Sequence, residues 1–225
     1  MSSYKGCILI LARKGSKGIK NKNMVDVCGQ PLIHYVLSAT EKTGIPVYVS
    51  SDCSEILDFS KNYNAIPILR PSNIAQDLSP DIDSFAHFFK NYEKYDYAIH
   101  LRATFPMITK DIIMSAHNVF LKNYNECDSL RSMIKTSVNP FKMWQIDGKF
   151  AKNVVSDSIY HSMPRQMIQQ VYAQNACVDI VKKETIVNKH CMVGDKCIPF
   201  IMEKEYNIDI DTKKDLEEAI NALRI

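Results

Sequence analysis

The sequence lacks the features that mark membrane and secreted proteins. None of its 225 residues falls in an apolar run approaching the roughly 20 residues that a membrane-spanning helix needs. Residues 1–18 contain only a short apolar stretch followed by basic residues, and they contain no small-residue cleavage site. We therefore expect neither a signal peptide nor an association with a membrane.

Paired cysteines and a strong charge of one sign are also missing. The seven cysteines are an odd number without a CxxC pair, which disfavours both a disulfide framework and a structural zinc site. We expect reduced thiols, mostly in the core of a cytoplasmic protein. A formal net charge of +3 is too weak to indicate nucleic-acid binding, so we expect none. With 46% hydrophobic residues the chain is not intrinsically disordered.

The first 125 residues alternate between strands and helices. The predicted strands are 4–12, 45–51, 65–70 and 95–102, and the predicted helices are 31–42, 53–63, 80–92 and 109–124. This alternation predicts an α/β fold of three layers, with a mostly parallel, Rossmann-like sheet covered by helices on both faces.

The second half of the chain does not continue this alternation of strands and helices. Residues 128–182 are typical of strands and turns, with a hairpin signal at Asp147-Gly148. A final helix is predicted over 212–223, where Thr212 and Asp215 have the spacing of a capping box. No repeat or linker divides the chain, so we expect one domain over 1–225, with a β-rich excursion at 135–165 that could pack against another subunit.

The segment ARKGSKGIKNKN (12–23) follows the first strand, where ligands of open α/β sheets bind. It has five cations, and its glycines Gly15 and Gly18 let the backbone approach a ligand. Such a loop suits a polyphosphate. It is neither a GxxxxGK[ST] phosphate loop nor a GxGxxG dinucleotide loop. The alternative is a solvated, flexible charged loop.

Two further groups of residues could bind a metal or a ligand, and for each of them a structural role is the alternative. Asp209 and Asp211 lie on one face of the chain if it is extended, and two such carboxylates near phosphates suit Mg²⁺. The alternative is that Asp211 caps the last helix, a role for which Thr212 competes. Arg70, at the end of a strand, is either a surface cation or a ligand contact.

The stretch ILARKGSKGIKNKNMVDVCGQPLIHYVL resembles the signature of the acylneuraminate (nonulosonate) cytidylyltransferases, which reads approximately I-P-A-R-x-G-S-K-x-x-x-x-K-N followed by G-x-P-L-I. The resemblance continues, in the family's order, at 49–56, 69–77, 101–106, 164–166, 172–176 and 209–216. It implies a fold of the nucleotide-diphospho-sugar transferase type. It also implies a Mg²⁺-dependent enzyme that activates a nonulosonic, sialic-acid-like sugar acid with CTP, giving a CMP-sugar for a surface glycan and pyrophosphate.

The resemblance further implies a homodimer, in which the 135–165 excursion reaches the sugar site of the partner, and it implies roles for individual residues. The catalytic residues would be Arg13, Lys17 and Asp211, and the metal ligands Asp209 and Asp211. The nucleotide would be bound by Arg13, Gly15, Ser16, Lys17, Lys22, Asn23, Arg70, Arg102, Thr104 and Pro106. The sugar acid would be bound by Arg165, Gln166, Tyr172 and Asn175, which could otherwise be an ordinary strand surface.

The chain departs from the family pattern at several positions. Arg102 stands where Gln is usual, and Ala176 follows Asn175 where Gly is usual. Because a guanidinium has no acceptor, Arg102 cannot reproduce a Gln contact and would instead bind a phosphate or a carboxylate. His34 and His100 are expected to be structural.

Three other functions compete with this one. The chain could use another nucleotide or another sugar on the same fold, or it could bind a nucleotide without catalysis. A dinucleotide-dependent oxidoreductase is disfavoured because the glycine fingerprint is missing.

Overall fold

The structure is a computed structural model that describes residues 4–16, 18–156, 159–203 and 208–224. Its strands are β1 (Gly6–Leu11), β2 (Asp26–Val27), β3 (Gln30–Pro31), β4 (Val47–Ser51), β5 (Ile66–Leu69), β6 (Tyr97–Arg102), β7 (Ser129–Thr136), β8 (Trp144–Asp147), β9 (Phe150–Asn153), β10 (Val171–Lys182) and β11 (Cys197–Met202). Its α-helices are α1 (Leu32–Thr40), α2 (Ser54–Ser60), α3 (Asp81–Asn91), α4 (Lys110–Lys122), α5 (Lys183–Val187) and α6 (Lys213–Leu223).

A seven-stranded sheet runs through the molecule in the order β11-β7-β10-β6-β1-β4-β5. Strand β1 is parallel to both of its neighbours, β4 and β6, and β5 continues the parallel arrangement beyond β4. Strand β10 is antiparallel to both β6 and β7. The predicted α/β fold with a mostly parallel sheet is confirmed, and the antiparallel strand belongs to the second half of the chain, where the alternation of strands and helices stops.

Helices cover both faces of this sheet. On one face, α1, α2 and α4 bury apolar side chains such as Ile33, Ile56 and Phe120 against the central strands. On the other face, α3 packs Phe85 and Phe88 against β1, β4 and β6. Strands β1 and β6 are buried on both faces, which explains why their sequences are nearly continuous apolar runs. The predicted three layers are therefore present.

Most predicted elements form within two or three residues of their expected bounds. Thr212 caps α6, and the reciprocal bonds of its capping box with Asp215 are present. The Asp147-Gly148 turn joins β8 to β9, with Gly148 at a φ of 59°. Pro31 precedes α1 as its N-cap instead of opening the helix. The short helix α5 was not predicted, because its five residues are too few for a helical period to show.

The β8–β9 hairpin stands apart from the central sheet and exposes large apolar side chains. Trp144, Ile146 and Phe150 are 50%, 74% and 66% exposed. Met143 and Val154, at the hairpin's ends, are exposed as well. We define these five residues as the hairpin patch. The pairing of β8 with β9 places Trp144 and Ile146 on one face of the hairpin and Phe150 on the other. Large exposed apolar side chains grouped on one hairpin are typical of an interaction site.

All seven cysteines are free thiols, and four of them are buried, as the sequence predicts. Among the residues that the structure describes, no helix is long and apolar enough to cross a membrane.

Ala176 lies in a left-handed backbone conformation, at a φ of 58°, where the register of β10 against β7 shifts. A Cβ atom in this conformation costs about 1–2 kcal/mol, and the extra flexibility of glycine in the unfolded chain returns about 0.4–1 kcal/mol of that. Ala176→Gly is therefore expected to raise the free energy of unfolding by about 0.5–1 kcal/mol in urea titrations.

The matched control is Ala173→Gly in the same strand, where the backbone φ is not positive. This change should lower the free energy of unfolding by about 0.5–1 kcal/mol, because glycine only adds entropy to the unfolded chain there. If both substitutions destabilise the protein equally, the strain assigned to Ala176 is not present.

Candidate active site

A cleft opens at the carboxyl ends of β1, β4 and β6. The chain leaves β1 toward β4 on one side and returns to β6 on the other, which is the topological arrangement at which open α/β sheets bind ligands. The inner part of the cleft is a cavity of about 270 Å³ that continues into an open region of about 810 Å³. Both parts are lined by Arg13, Gly15, Ser16, Gln76 and Asp77.

The basic loop of residues 12–23 forms one wall of this cleft, and neighbouring elements hold its backbone in place. The side-chain amide of Asn23 donates to the Arg13 carbonyl at 2.9 Å. The Lys14 amide donates to Asp52 Oδ1 at 2.8 Å, which ties the loop to the end of β4. Arg13 forms an ion pair with Asp77. The loop is thus anchored at several described residues, which argues against the alternative of a solvated, flexible loop.

The acidic segment 208–211 lies against the same loop. Lys22 Nζ is 2.7 Å from Asp211 Oδ1, although the two residues are 189 positions apart in the chain. The Ile210 amide donates to the Thr104 carbonyl at 2.9 Å, which fixes the segment to the end of β6. Gly18 also approaches so closely that a Cβ atom there would lie 2.1 Å from the Asp211 carbonyl oxygen. The structure therefore brings the basic loop and the acidic pair together.

Asp209 presents an unsatisfied oxygen at this junction. Its Oδ1 is buried and has no hydrogen-bond partner among the described residues. Burial raises the pKa of Asp209, and the nearby Asp211 carboxylate raises it further, whereas a hydrogen bond with Thr104 opposes the shift. A carboxylate that is costly to ionise and has one unpartnered oxygen fits a divalent cation well, because the cation supplies both the compensating charge and the missing contact.

Asp211 is not the residue that caps the last helix. Thr212 caps α6, and the Asp211 amide donates to Asp215 Oδ2 at 3.1 Å. The Asp211 side chain is 72% exposed and contacts Lys22, which lines the inner cavity. Within the described ranges, no group of three or more His, Cys, Asp or Glu side chains could hold a metal. A cation at the Asp209–Asp211 pair would therefore need oxygens from substrate and water, as Mg²⁺ commonly uses.

Arg102 lines the inner cavity and is held by carboxylates. Its Nη1 is 2.8 Å from Asp81 Oδ2, and its Nη2 is 3.6 Å from Asp179 Oδ2. Asp179 is in turn 3.0 Å from Arg131 Nε. We predicted that Arg102 binds a phosphate or a carboxylate of a ligand, and the structure, which tests no ligand contact, shows its guanidinium already paired with two carboxylates. They belong to the protein, which leaves the guanidinium largely neutralised.

Arg70 is buried, so it is not a surface cation. Its guanidinium donates from Nε to the Ser50 hydroxyl at 3.1 Å and from Nη2 to the Ser50 carbonyl. Burial lowers the pKa of Arg70, and the acidic Asp52 and Asp81 oppose this shift. Arg70 therefore secures the end of β4 while also lining the inner cavity.

The four predicted sugar residues do not converge on the cleft within one chain. Arg165 lines a separate cavity of about 360 Å³ beside the excursion, which shares no described residue with the cleft. Gln166 and Tyr172 are exposed, and the Asn175 amide is buried and points to Met202 Sδ at 3.4 Å. A role for these residues in one sugar site would require a second copy of the chain or a movement of this region.

The remaining predicted site residues either line the cleft, lie outside its lining or fall outside the described residues. Thr104 and Ser16 line the cleft as expected. Pro106 is buried and lies outside the described lining of the cleft. Lys17, predicted as a catalytic residue, falls outside the described residues.

Several residues of the cleft were not identified from the sequence. Asp52 and Asp77 hold the basic loop, and Asp81 and His100 line the inner cavity. His100 is 2% exposed, which agrees with the expected buried strand position, but it also faces the ligand cavity. Asp52 and Asp77 belong to the segments 49–56 and 69–77 that resemble the family, and this was the available signal for them.

Comparison with known proteins agrees with this geometry. A family model described as "Cytidylyltransferase" matches residues 7–224. The chain is 33% identical to a pseudaminic acid cytidylyltransferase of Campylobacter jejuni subsp. jejuni serotype O:2, over 96% of this chain and 94% of that protein. It is 25% identical to an N-acylneuraminate cytidylyltransferase of Streptococcus agalactiae serotype V, over 96% of this chain and 52% of that protein. The chain thus spans about half the length of this relative, and of several others that it matches.

The fold has a solved counterpart as well. A structure described as CMP:2-keto-3-deoxy-manno-octonic acid synthetase complexed with CTP superposes with a TM-score of 0.73 over 98% of both chains. Its sequence identity of 14% supports the fold alone. The family match across nearly the whole chain, together with the loop that meets an acidic pair at the carboxyl edge of the sheet, shows that this protein belongs to the cytidylyltransferase family.

Proposed function

We propose that the protein is a nucleotidyltransferase that joins CMP, taken from CTP, to a nonulosonic sugar acid and releases pyrophosphate. The observation that carries this proposal is the junction of the basic loop with the acidic pair, where Lys22 contacts Asp211 and Gly18 lies against the same residue. The named relatives act on neuraminic-type and pseudaminic acids, which supports this class of sugar without choosing one member.

The reaction needs positioning and electrostatic stabilisation more than covalent chemistry from the protein. The anomeric hydroxyl of the sugar acid attacks the α-phosphorus and loses its proton to water, while the bond from the α-phosphorus to the oxygen that bridges it to the β-phosphorus breaks and pyrophosphate leaves with the electron pair. Arg13, Lys17 and Lys22 would bind the triphosphate and stabilise the charge that grows on its oxygens. In the absence of ligand, Asp77 and Asp211 pair with two of these cations, and a triphosphate would compete for them.

We propose Mg²⁺ as the cofactor, held by Asp209 and Asp211. The unpartnered Asp209 oxygen supports this role, as does the pKa of Asp209, which burial and Asp211 raise. When bound, the cation would neutralise phosphate charge and help to orient the triphosphate. Asp209, fixed through Thr104, would set its position relative to the loop.

We propose further that the protein forms a homodimer through the excursion. The hairpin patch is apolar and exposed, and Tyr172 on β10 is exposed as well. Arg165 and its cavity lie beside this surface, outside the cleft of their own chain. A second copy packed there would cover the patch and would bring Arg165 toward the partner's cleft.

A cytoplasmic location and a product destined for a surface glycan belong to the same proposal. Seven free thiols suit a reducing compartment. A CMP-sugar is an activated donor, which must be consumed by a transferase that builds glycans.

One assay tests the proposed function. Pyrophosphate release is measured with each of the four ribonucleoside triphosphates, paired with neuraminic, pseudaminic and legionaminic acids, with and without Mg²⁺. We expect release only with CTP and Mg²⁺, and with at least one of these acids. Arg102, which stands where Gln is usual, is the reason for testing other bases. A preference for GTP would show that cytosine is not the base that this protein uses. CTP binding without release under any condition would favour a non-catalytic nucleotide-binding protein.

A further inference from the structure

The inner end of the cleft carries polar side chains that the reaction itself does not need. Asp81 and Ser84 come from α3, and His100 and Arg102 come from β6. His100 and Arg102 are two positions apart in the strand and so face the same side of the sheet. The four side chains form a small polar subsite behind the phosphate-binding loop.

The charges of this subsite cancel in pairs. Arg102 contacts Asp81 at 2.8 Å and Asp179 at 3.6 Å, and Asp179 is held by Arg131 at 3.0 Å. Asp179 is only 4% exposed, so this part of the network is fixed within the fold. Arg102 therefore serves better as an oriented hydrogen-bond donor than as a phosphate-binding cation.

Asp81 supplies an anionic acceptor to the cavity. It is the first residue of α3, where the helix dipole favours negative charge. Burial alone would raise the pKa of Asp81, but the neighbouring His100, the positive charges of Arg102 and Arg70 and the hydrogen bond from Arg102 hold it below its usual range. Arg102 contacts Oδ2, and the side chain keeps 41% of its surface exposed. A ligand can therefore reach this carboxylate.

His100 lines the inner cavity and has a ring nitrogen without a partner among the described residues. It is almost fully buried, and its Nδ1 atom has no hydrogen-bond partner in the described structure. Burial lowers the pKa of His100 to about 3, so the ring is neutral and can offer one donor and one acceptor. A buried polar atom without a partner is unusual unless a ligand or a water satisfies it.

The position of the subsite determines which part of the substrates it can hold. In the proposed function, the phosphates lie with the basic loop and with the cation at Asp209 and Asp211, and Asp211 is exposed and contacts Lys22 of that loop. A sugar acid that attacks the α-phosphate carries its own carboxylate, which an ionised Asp81 would repel. The neutral, planar base is the part of the nucleotide that suits a small inner cavity.

Cytosine presents a donor, its N4 amino group, followed by two acceptors, N3 and O2. Carboxylates recognise cytosine through the N4 amino group, whereas uracil has a carbonyl oxygen at that position and would be repelled. We propose that Asp81 accepts a hydrogen bond from the N4 amino group of cytosine and selects CTP over UTP, with Arg102 and His100 placed to donate to the base's acceptors. This inference rests on the proposed function.

The test compares CTP with UTP in Asp81→Asn and in a matched control. The asparagine keeps the size of the side chain and removes its charge. Asp83→Asn removes a charge from the same turn of α3 at a residue outside the described lining of the cleft. Calorimetry with each nucleotide in Mg²⁺ gives Kd without the need for turnover, and pyrophosphate release gives kcat/KM.

We expect Asp81→Asn to reduce the preference for CTP over UTP by about 10- to 100-fold in both Kd and kcat/KM, which is the range for a lost charge-assisted hydrogen bond. The KM for the sugar acid should stay within about two-fold, and Asp83→Asn should keep the wild-type preference. An unchanged preference in Asp81→Asn, or a rise confined to the KM for the sugar acid, would overturn the assignment.

The two proposals fail in different ways. If wild-type protein binds CTP more tightly than UTP and loses this difference in Asp81→Asn, but never releases pyrophosphate, the base assignment stands and the proposed reaction is wrong. If pyrophosphate release from CTP is normal and the nucleotide preference does not depend on Asp81, the reaction stands and the base assignment is wrong. Wild-type protein that binds neither nucleotide overturns both.

Discussion

Asp209→Asn is expected to lower kcat for nucleotidyl transfer by about 10³-fold or more and to leave the protein folded. Removing this carboxylate weakens the site for the cation, whose stabilisation of phosphate charge is worth several kcal/mol in such reactions. The asparagine can still accept the hydrogen bond that Asp209 accepts from Thr104. Steady-state pyrophosphate release over a range of Mg²⁺ concentrations measures the effect, and Glu217→Gln on the exposed side of α6 serves as the control.

The same substitution should not destabilise the fold, because the pKa of Asp209 is raised by burial and by Asp211. A raised pKa means that ionisation is harder in the folded state, so the charged carboxylate lowers stability at neutral pH. Wild-type protein without metal should therefore be no more stable than Asp209→Asn at pH 7. If the wild type is less stable than Asp209→Asn at pH 7, this difference in stability should disappear as the pH falls through the raised pKa of Asp209 to below the ordinary aspartate pKa. Thermal unfolding in EDTA at several pH values checks this.

Two results would contradict this account of Asp209. Activity close to that of the wild type would show that this carboxylate is not needed for the reaction. A large loss of thermal stability at pH 7, together with the loss of activity, would show that Asp209 is mainly structural.

Gly18→Ala is expected to lower kcat/KM for CTP by about 100-fold, because a misplacement of about 1 Å near reacting groups has effects of that size. The added Cβ would lie 2.1 Å from the carbonyl oxygen of Asp211, which is a backbone atom. The loop and the acidic segment must then separate, which moves Lys22 away from Asp211. Overpacking of this kind also costs about 1–3 kcal/mol of stability.

Gly15→Ala is the comparison for stability. A Cβ at Gly15 would meet only Arg13 Nη1, at an ordinary distance of 3.7 Å, so the free energy of unfolding should change much less than in Gly18→Ala. Urea titration measures both variants. If Gly18→Ala is as stable as Gly15→Ala and retains wild-type kcat/KM, the loop and the acidic segment do not need the close approach that the structure shows.

Much of this site follows from general rules applied to the sequence. The alternation of strands and helices places the ends of β1 and β6 at one edge of the sheet, so the basic loop and Thr104 had to be neighbours. The acidic pair is less obvious, since Asp211 is 189 residues from Lys22. Its placement could be predicted only through the resemblance to a family.

Other features depend on contacts that no local pattern encodes. The ion pair of Arg13 with Asp77 and the bond from Lys14 to Asp52 join residues 64 and 38 positions apart. Arg102 was expected to bind a ligand, but the sequence did not show that Asp81 on α3 and Asp179 on β10 contact its guanidinium within the chain. A strand order that inserts β10 between β6 and β7 is needed to bring them together.

The sugar site shows where sequence alone does not suffice. Arg165, Tyr172 and Asn175 occur in an order that resembles one site, yet within one chain they are spread over a separate cavity, an exposed strand face and the core. Residues that act across a subunit boundary, or only after a movement, do not lie together in a single chain. Ala176 is a related case, because the sequence shows a departure from the usual glycine but not the left-handed backbone that explains it.

The central claim is that the basic loop and the acidic pair bind one nucleotide. A crystal structure of the protein with CTP and Mn²⁺ as an anomalous scatterer tests it most directly. We predict the triphosphate between Arg13 and Lys22 of the loop, with the metal peak at Asp209 and Asp211. A triphosphate bound elsewhere, or a metal peak away from these two carboxylates, would contradict the account.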